Sequence, residues 1–162
     1  MGSRLRKAGI VFVGGLVVFV AAAQLVRPAR TNPPTNASRT LQAHPGIPNE
    51  LVAVMNRSCS DCHSNATEWS RYTQVAPMSW IVAYAVNSGR KAMNISDWAS
   101  YSADDQRELL FQSCKAATEG KMPGGIYTRL RPEATLSAQD IKTICTVSQS
   151  ADANAKTAST KP

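Results

Sequence analysis

Apolar side chains divide this chain into four stretches. From Ala8 to Val26 nothing is charged and Gln24 is the one polar side chain. As a helix that stretch is about 28 Å long at about 1.5 Å per residue, close to the hydrocarbon thickness of a bilayer. Residues 27–47 are rich in Pro, Asn and Thr, as in Arg30-Thr31-Asn32-Pro33-Pro34, show no hydrophobic period, and read as an extended linker. Residues 48–149 bring apolar residues back at helical intervals and form the one domain. Residues 150–162 hold Ala, Ser, Thr and Lys without a large apolar side chain, so a disordered tail is predicted there.

Within residues 48–149 no run of alternating β-branched residues calls for a sheet, and four or five short helices are expected. The first covers about Pro48 to Asn56, with Leu51, Val54 and Met55 on one face. A second runs from Met78 to Lys91, with Trp80, Ile81, Tyr84 and Ala85 as its apolar side and Gly89 as a stop signal. A short one begins near Ser96 and contains Trp98. The clearest spans Ser102 to Glu119. Ser102 and Asp105 have the spacing of a capping box, Leu109, Leu110, Phe111 and Cys114 form the stripe, and Gly120 ends it. The last starts at Ser137, with Asp140 in the corresponding position and Ile141, Ile144 and Cys145 facing inward. The fold class is all-α: a small helical domain preceded by an N-terminal transmembrane helix.

The formal charge of +7 raises the question of nucleic acid. Arg4, Arg6 and Lys7 supply three of those charges, leaving +4 for the rest of the chain, scattered singly and not interleaved with aromatics. A nucleic-acid partner is not expected. The three basic residues instead precede the apolar stretch and keep its start cytoplasmic, so that everything after Val26 is exported. Residues 1–26 are thus a membrane anchor, or a signal segment cleaved after Ala21-Ala22-Ala23. The full spanning length favours the anchor: a single pass through a bacterial cytoplasmic membrane, with the domain facing the periplasm.

Four cysteines and two histidines are few for a multi-ligand metal site, and two of the cysteines stand in Cys59-Ser60-Asp61-Cys62-His63. Two thiols three residues apart on one helical turn can each bond a haem vinyl group, with the next residue, His63, under the iron as proximal ligand. One covalent haem c is the cofactor implied, and the all-α domain is then a small cytochrome c-like helical domain around it. A thioredoxin-like dithiol would follow a buried strand, which residues 51–57 do not form. A zinc site would need two further ligands at short spacing. Cys114 and Cys145 fall on the inner faces of successive helices in an exported domain, and a disulfide between them is predicted, with two buried thiols as the other reading.

For the sixth iron position Met122 leads. It lies in Lys121-Met122-Pro123-Gly124-Gly125, where Pro fixes the chain direction and Gly admits close approach of backbone. A thioether opposite His raises the reduction potential and suits electron transfer. His44, Met78 and Met93 are the other candidates. Trp69, Tyr72, Trp80, Tyr84, Trp98 and Tyr127 line the haem or fill gaps between helices, and Arg71 or Arg129 pairs with a propionate or stays in solvent.

The run from Cys59 to Trp69, continuing through Val75-Ala76-Pro77-Met78-Ser79-Trp80, resembles the bacterial haem-binding domain family of small exported monohaem proteins. Gly89-Arg90, Asn94-Ile95-Ser96-Asp97-Trp98, Gly120-Lys121-Met122-Pro123, Tyr127 and Pro132-Glu133-Ala134-Thr135-Leu136-Ser137 are similar to it in the same order, over about residues 30–147. The resemblance implies covalent haem on a compact helical domain and names no reaction. The chain departs from the family pattern at Ser70 and Arg71, and at Arg131, where members often carry His, so a ligand role for that histidine does not transfer. No acid–base pair of the kind a peroxidase uses is evident, and the expectation is an electron carrier with redox protein partners in or at the membrane. The other reading is a five-coordinate haem sensor or peroxidase-like enzyme.

Overall fold

The computed structural model describes residues 2–159, and side chains within 6–153. Seven α-helices and several 3-10 turns make up the described residues, with no strand among them, so the fold is all-α. Helix α1 (Gly2–Ala23) is long and apolar enough to cross a membrane, a property that a signal sequence shares. The domain comprises α2 (Asn49–Ser58), α3 (Ser60–His63), α4 (Met78–Ala92), α5 (Ala103–Thr118), α6 (Gly125–Leu130) and α7 (Ala138–Ser159).

The core gathers Leu51, Val54 and Met55 of α2, Met93, Ile95 and Trp98 after α4, Leu110 and Ala117 of α5, and Ile144 of α7. Trp98, 1 % exposed, sits edge-on to Tyr101. Helices α5 and α7 lie side by side and are joined by a Cys114–Cys145 disulfide, with Cα atoms 4.8 Å apart. Both begin with the side-chain caps their sequences suggest. Ser102 Oγ accepts from the Asp105 amide, and Ser137 Oγ from the Asp140 amide. The Asp140 carboxylate accepts in return from the Ser137 amide at 2.8 Å and from Arg57 of α2 at 2.7 Å, which ties the two helices together.

Three expectations need correction. Residues 27–47 are no free spacer. Arg30 donates to the Thr73 carbonyl, Asn32 to that of Thr67 and Asn65 to that of Pro34, and Leu41 enters the core at the start of the second of two 3-10 turns. This segment is a strap whose polar side chains find backbone partners where a Gly/Ser linker would have none.

The tail is different as well, because α7 continues unbroken to Ser159, and Ala151 packs on the core. The alanines from Ala151 onward are the strongest helix formers, and extending an existing helix avoids the cost of a new nucleus. Residues 160–162 lie outside the described residues. Finally, α4 packs through Ser79, Ala83, Val86 and Gly89, while Ile81 and Tyr84, read as its inner side, are 52 % and 76 % exposed. Phe111 of α5 likewise points outward.

Candidate functional site

Helix α3 is one turn long and carries the Cys-Ser-Asp-Cys-His sequence directly after α2. The Cys62 and His63 amides both donate to the Cys59 carbonyl, which closes that turn and places both thiols and the imidazole around it. Two neighbours hold the turn in place. On one side α4 comes so near that Gly89 has no room for a side chain: a Cβ there would lie 2.9 Å from the Cys62 carbonyl carbon and nearer still to its oxygen. On the other side Thr67 donates to the Asp61 carbonyl and the Glu68 amide to the Asp61 carboxylate, folding the following loop back over the turn.

The His63 ring is oriented by its Nδ1, 3.1 Å from the Met93 carbonyl just past the end of α4. A carbonyl only accepts, so Nδ1 carries the proton and Nε2 keeps its lone pair. Burial depresses the imidazole's pKa, against the pull of the Met93 and Gly89 carbonyls, and keeps the ring neutral. A neutral ring with one nitrogen fixed by backbone is the form of histidine that binds a metal.

Cys59 and Cys62 are the two cysteines outside the disulfide. Burial, and then the neighbouring Cys62, push the Cys59 thiol up to about 11, against the Arg57 charge. Cys62 is raised by burial first and by Asp61 second. Both sulfurs therefore hold their protons at neutral pH.

Helix α6 was not anticipated. Its residues fell in and after a stretch read as loop, and Gly124 and Gly125 at its start masked the signal. It is bound to α3 through one carboxylate. Tyr127 donates to Asp61 at 2.8 Å, and Arg131 lies 3.6 Å from the same oxygen while pairing with Glu68 at 2.9 Å and Glu133 at 2.6 Å. Burial, and then the Asp61 carboxylate, raise the Tyr127 hydroxyl well above its ordinary value, so it stays a donor at any working pH.

The departure at Arg131 thus has a structural role: with Tyr127 it fastens α6, and the Met122 segment leading into it, to the Cys-Ser-Asp-Cys-His turn. Gly120, with φ +64, ends α5 in the left-handed conformation that glycine tolerates and turns the chain toward Met122. Met122 is 55 % exposed and precedes α6, on which Ile126 and Leu130, one helical turn apart, are also largely exposed.

A second hub escaped the sequence reading. Arg90 donates from Nε to the Ser64 carbonyl at 2.7 Å, from Nη1 to that of Thr31 at 2.9 Å, and from Nη2 to Asn32 and Thr67. One guanidinium thereby joins α4, the loop after His63 and the strap. The adjacent Gly89-Arg90 pair was its only visible trace.

The other candidates lie elsewhere. Met93 is buried with its sulfur near Ser113, and only its backbone serves His63. His44 borders a groove formed with Trp98, Leu110 and Val147 that shares no residue with α3 or α6. Trp69 donates to Asn32 and Trp80 to the Val26 carbonyl, so both hold the strap. Arg71 and Arg129 are exposed.

The sequence model of the haem-binding domain family matches residues 18–150, most of the chain and the whole of this site. The chain belongs to that family. No curated protein and no solved structure matches it. Haem is therefore its cofactor, and the residues present fit a haem. They supply an imidazole nitrogen with a free lone pair and two protonated thiols on one turn, and α6, fastened to that turn, carries exposed apolar side chains at Ile126 and Leu130.

Proposed function

We propose that this haem-binding domain protein is a membrane-tethered, periplasmic, monohaem c-type cytochrome that carries single electrons. The observation carrying this reading is the fixed His63, with Nδ1 bound to the Met93 carbonyl, on the same turn as two protonated thiols. Each S–H would add across one vinyl group, the sulfur bonding one carbon and the hydrogen going to the other, with no oxidant required. His63 Nε2 would ligate the iron from one side and Met122 from the other. The haem supplies the ferric–ferrous couple; the protein's part is to hold the ligands and to shield the ring from water.

Denaturing gel electrophoresis with haem staining tests the covalent link, which should survive acid acetone. Absorption spectra with and without carbon monoxide test the sixth ligand. The ferric protein should show the sulfur-to-iron charge-transfer band, the ferrous form should bind carbon monoxide slowly, and Met122→Ala should abolish the band. A high-spin iron that takes up carbon monoxide at once would refute the carrier and favour the five-coordinate sensor or peroxidase-like enzyme.

A further inference from the structure

The outward face of α4 has no partner within the chain, yet it adjoins the point where α1 ends. Gln24, just past α1, accepts from the Ala76 amide at 2.9 Å and donates to its carbonyl at 3.4 Å, and Trp80 donates to the Val26 carbonyl at 2.7 Å. The exit of the apolar helix is thus pinned to the first turn of α4. Beyond it the strap continues under Thr73, Thr67 and Arg90, so no free length of chain separates domain and anchor. On the same side Val75 is 54 % exposed, and Ile81 and Tyr84 stand out beside Trp80. At 100° per residue Ile81 and Tyr84 lie opposite Ser79, Ala83 and Val86, which pack inward, and Trp80 stands at the edge of that outer face. From Glu68 to Asp97 the chain has no acidic residue between, whereas Arg27 beside the anchor and Arg71 near the start of α4 are both exposed.

We infer that this face, Val75, Trp80, Ile81 and Tyr84 flanked by Arg27 and Arg71, rests in the headgroup layer of the membrane that α1 crosses. This rests on the tether proposed above. Aromatic and aliphatic side chains enter the interface while arginines meet anionic phosphates, the arrangement by which an amphipathic helix lies on a bilayer. The domain is then held flat and does not swing on a tether. Helix α3 packs on the opposite side of α4, which places the haem-attachment turn about 10 Å, one helix diameter, above the surface. Its open side, with Met122 and α6, faces partners arriving from the aqueous compartment or along the membrane.

The full chain in nanodiscs of phosphatidylcholine and phosphatidylglycerol tests this. Single cysteines are introduced as Ile81→Cys, Tyr84→Cys and, on α5 as a control, Phe111→Cys. Each is treated with a water-soluble maleimide, and the chain without an added cysteine gives the background. Circular dichroism checks the fold, and intact mass checks that residues 1–23 are retained. Positions 81 and 84 should react at least about tenfold more slowly than position 111, and high salt should narrow the difference by loosening the arginine contacts.

Equal rates with the anchor retained would overturn the inference and leave the tether standing. A mass beginning at Gln24 would overturn the tether and this inference with it. Protection seen in native membranes but absent in nanodiscs would assign the face to a protein partner and overturn the lipid assignment.

Discussion

Replacing Gly89 by Ala sets two effects of known sign against each other. In an open helix interior the change is stabilising, by about 1 kcal/mol, because Ala loses less backbone freedom on folding. Ser88 beside it is exposed, and Ser88→Ala should show a small gain of that kind. At position 89, however, the new Cβ lies 2.9 Å from the Cys62 carbonyl carbon and 3.0 Å from the Cys62 Cβ, where ordinary contact starts near 3.4 Å.

The obstacle is backbone, so no rotamer change relieves it, and α3 and α4 must part by some tenths of an ångström. Overpacking of this kind costs about 1–3 kcal/mol. The movement also stretches the bond from His63 Nδ1 to the Met93 carbonyl, which lies on the same end of α4. Against the gain of about 1 kcal/mol in helix propensity, this leaves a net loss of up to about 2 kcal/mol, a fall in Tm of up to about 15 °C for a domain near one hundred residues. Thermal unfolding of the haem-loaded Gly89→Ala and Ser88→Ala variants, followed by circular dichroism, measures it. A Gly89→Ala protein whose Tm rises as that of Ser88→Ala does would refute the claim that the Cys-Ser-Asp-Cys-His turn is wedged against α4.

Removing the α5–α7 cross-link with Cys114→Ser and Cys145→Ser frees a loop of 31 residues and should cost about 3–4 kcal/mol by the chain-entropy relation. Urea unfolding should show this, while the haem spectrum at 25 °C stays unchanged because the pair lies outside the site. Asp140 feels burial, which raises its pKa, but the Ser137 amide and hydroxyl and the Arg57 charge outweigh it and leave the pKa depressed. A depressed carboxylate contributes stability above its unfolded pKa and loses it as pH falls through the folded one. Asp140→Asn should therefore cost about 1 kcal/mol at pH 7 and nothing once the pH is well below 4. A difference from the parent that is independent of pH, in urea titrations from pH 7 to pH 3, would count against the Arg57–Asp140 tie.

Features resting on local chemistry were legible in the sequence. The Ser102 and Ser137 caps, the limits of α4 and α5 and the helical turn of Cys59 to His63 each depend on residues within one helical turn of one another. The clamp on α6 was not legible, because Asp61, Tyr127 and Arg131 come from distant parts of the chain and meet only when folded. Arg131 registered as a departure from a pattern, and its three carboxylate neighbours could not be foreseen from that. The same holds for Arg90, two of whose four acceptors are backbone carbonyls, groups every residue carries and no sequence singles out.

The reversal of α4 has a different cause. Hydrophobic periodicity reports that a face avoids water and does not report what covers it. Where a helix must approach the backbone of the haem-attachment turn, small residues have to face inward, and Ser79, Ala83 and Gly89 do so with Val86 between them. The large apolar side chains are then displaced to the far side of the helix. A soluble protein would seldom leave Ile81 and Tyr84 there beside an exposed Val75. If α1 is the membrane tether proposed above, a domain pinned to its end by Gln24 and Trp80 would have within reach a surface that is neither core nor water, and the apolar stripe would match it.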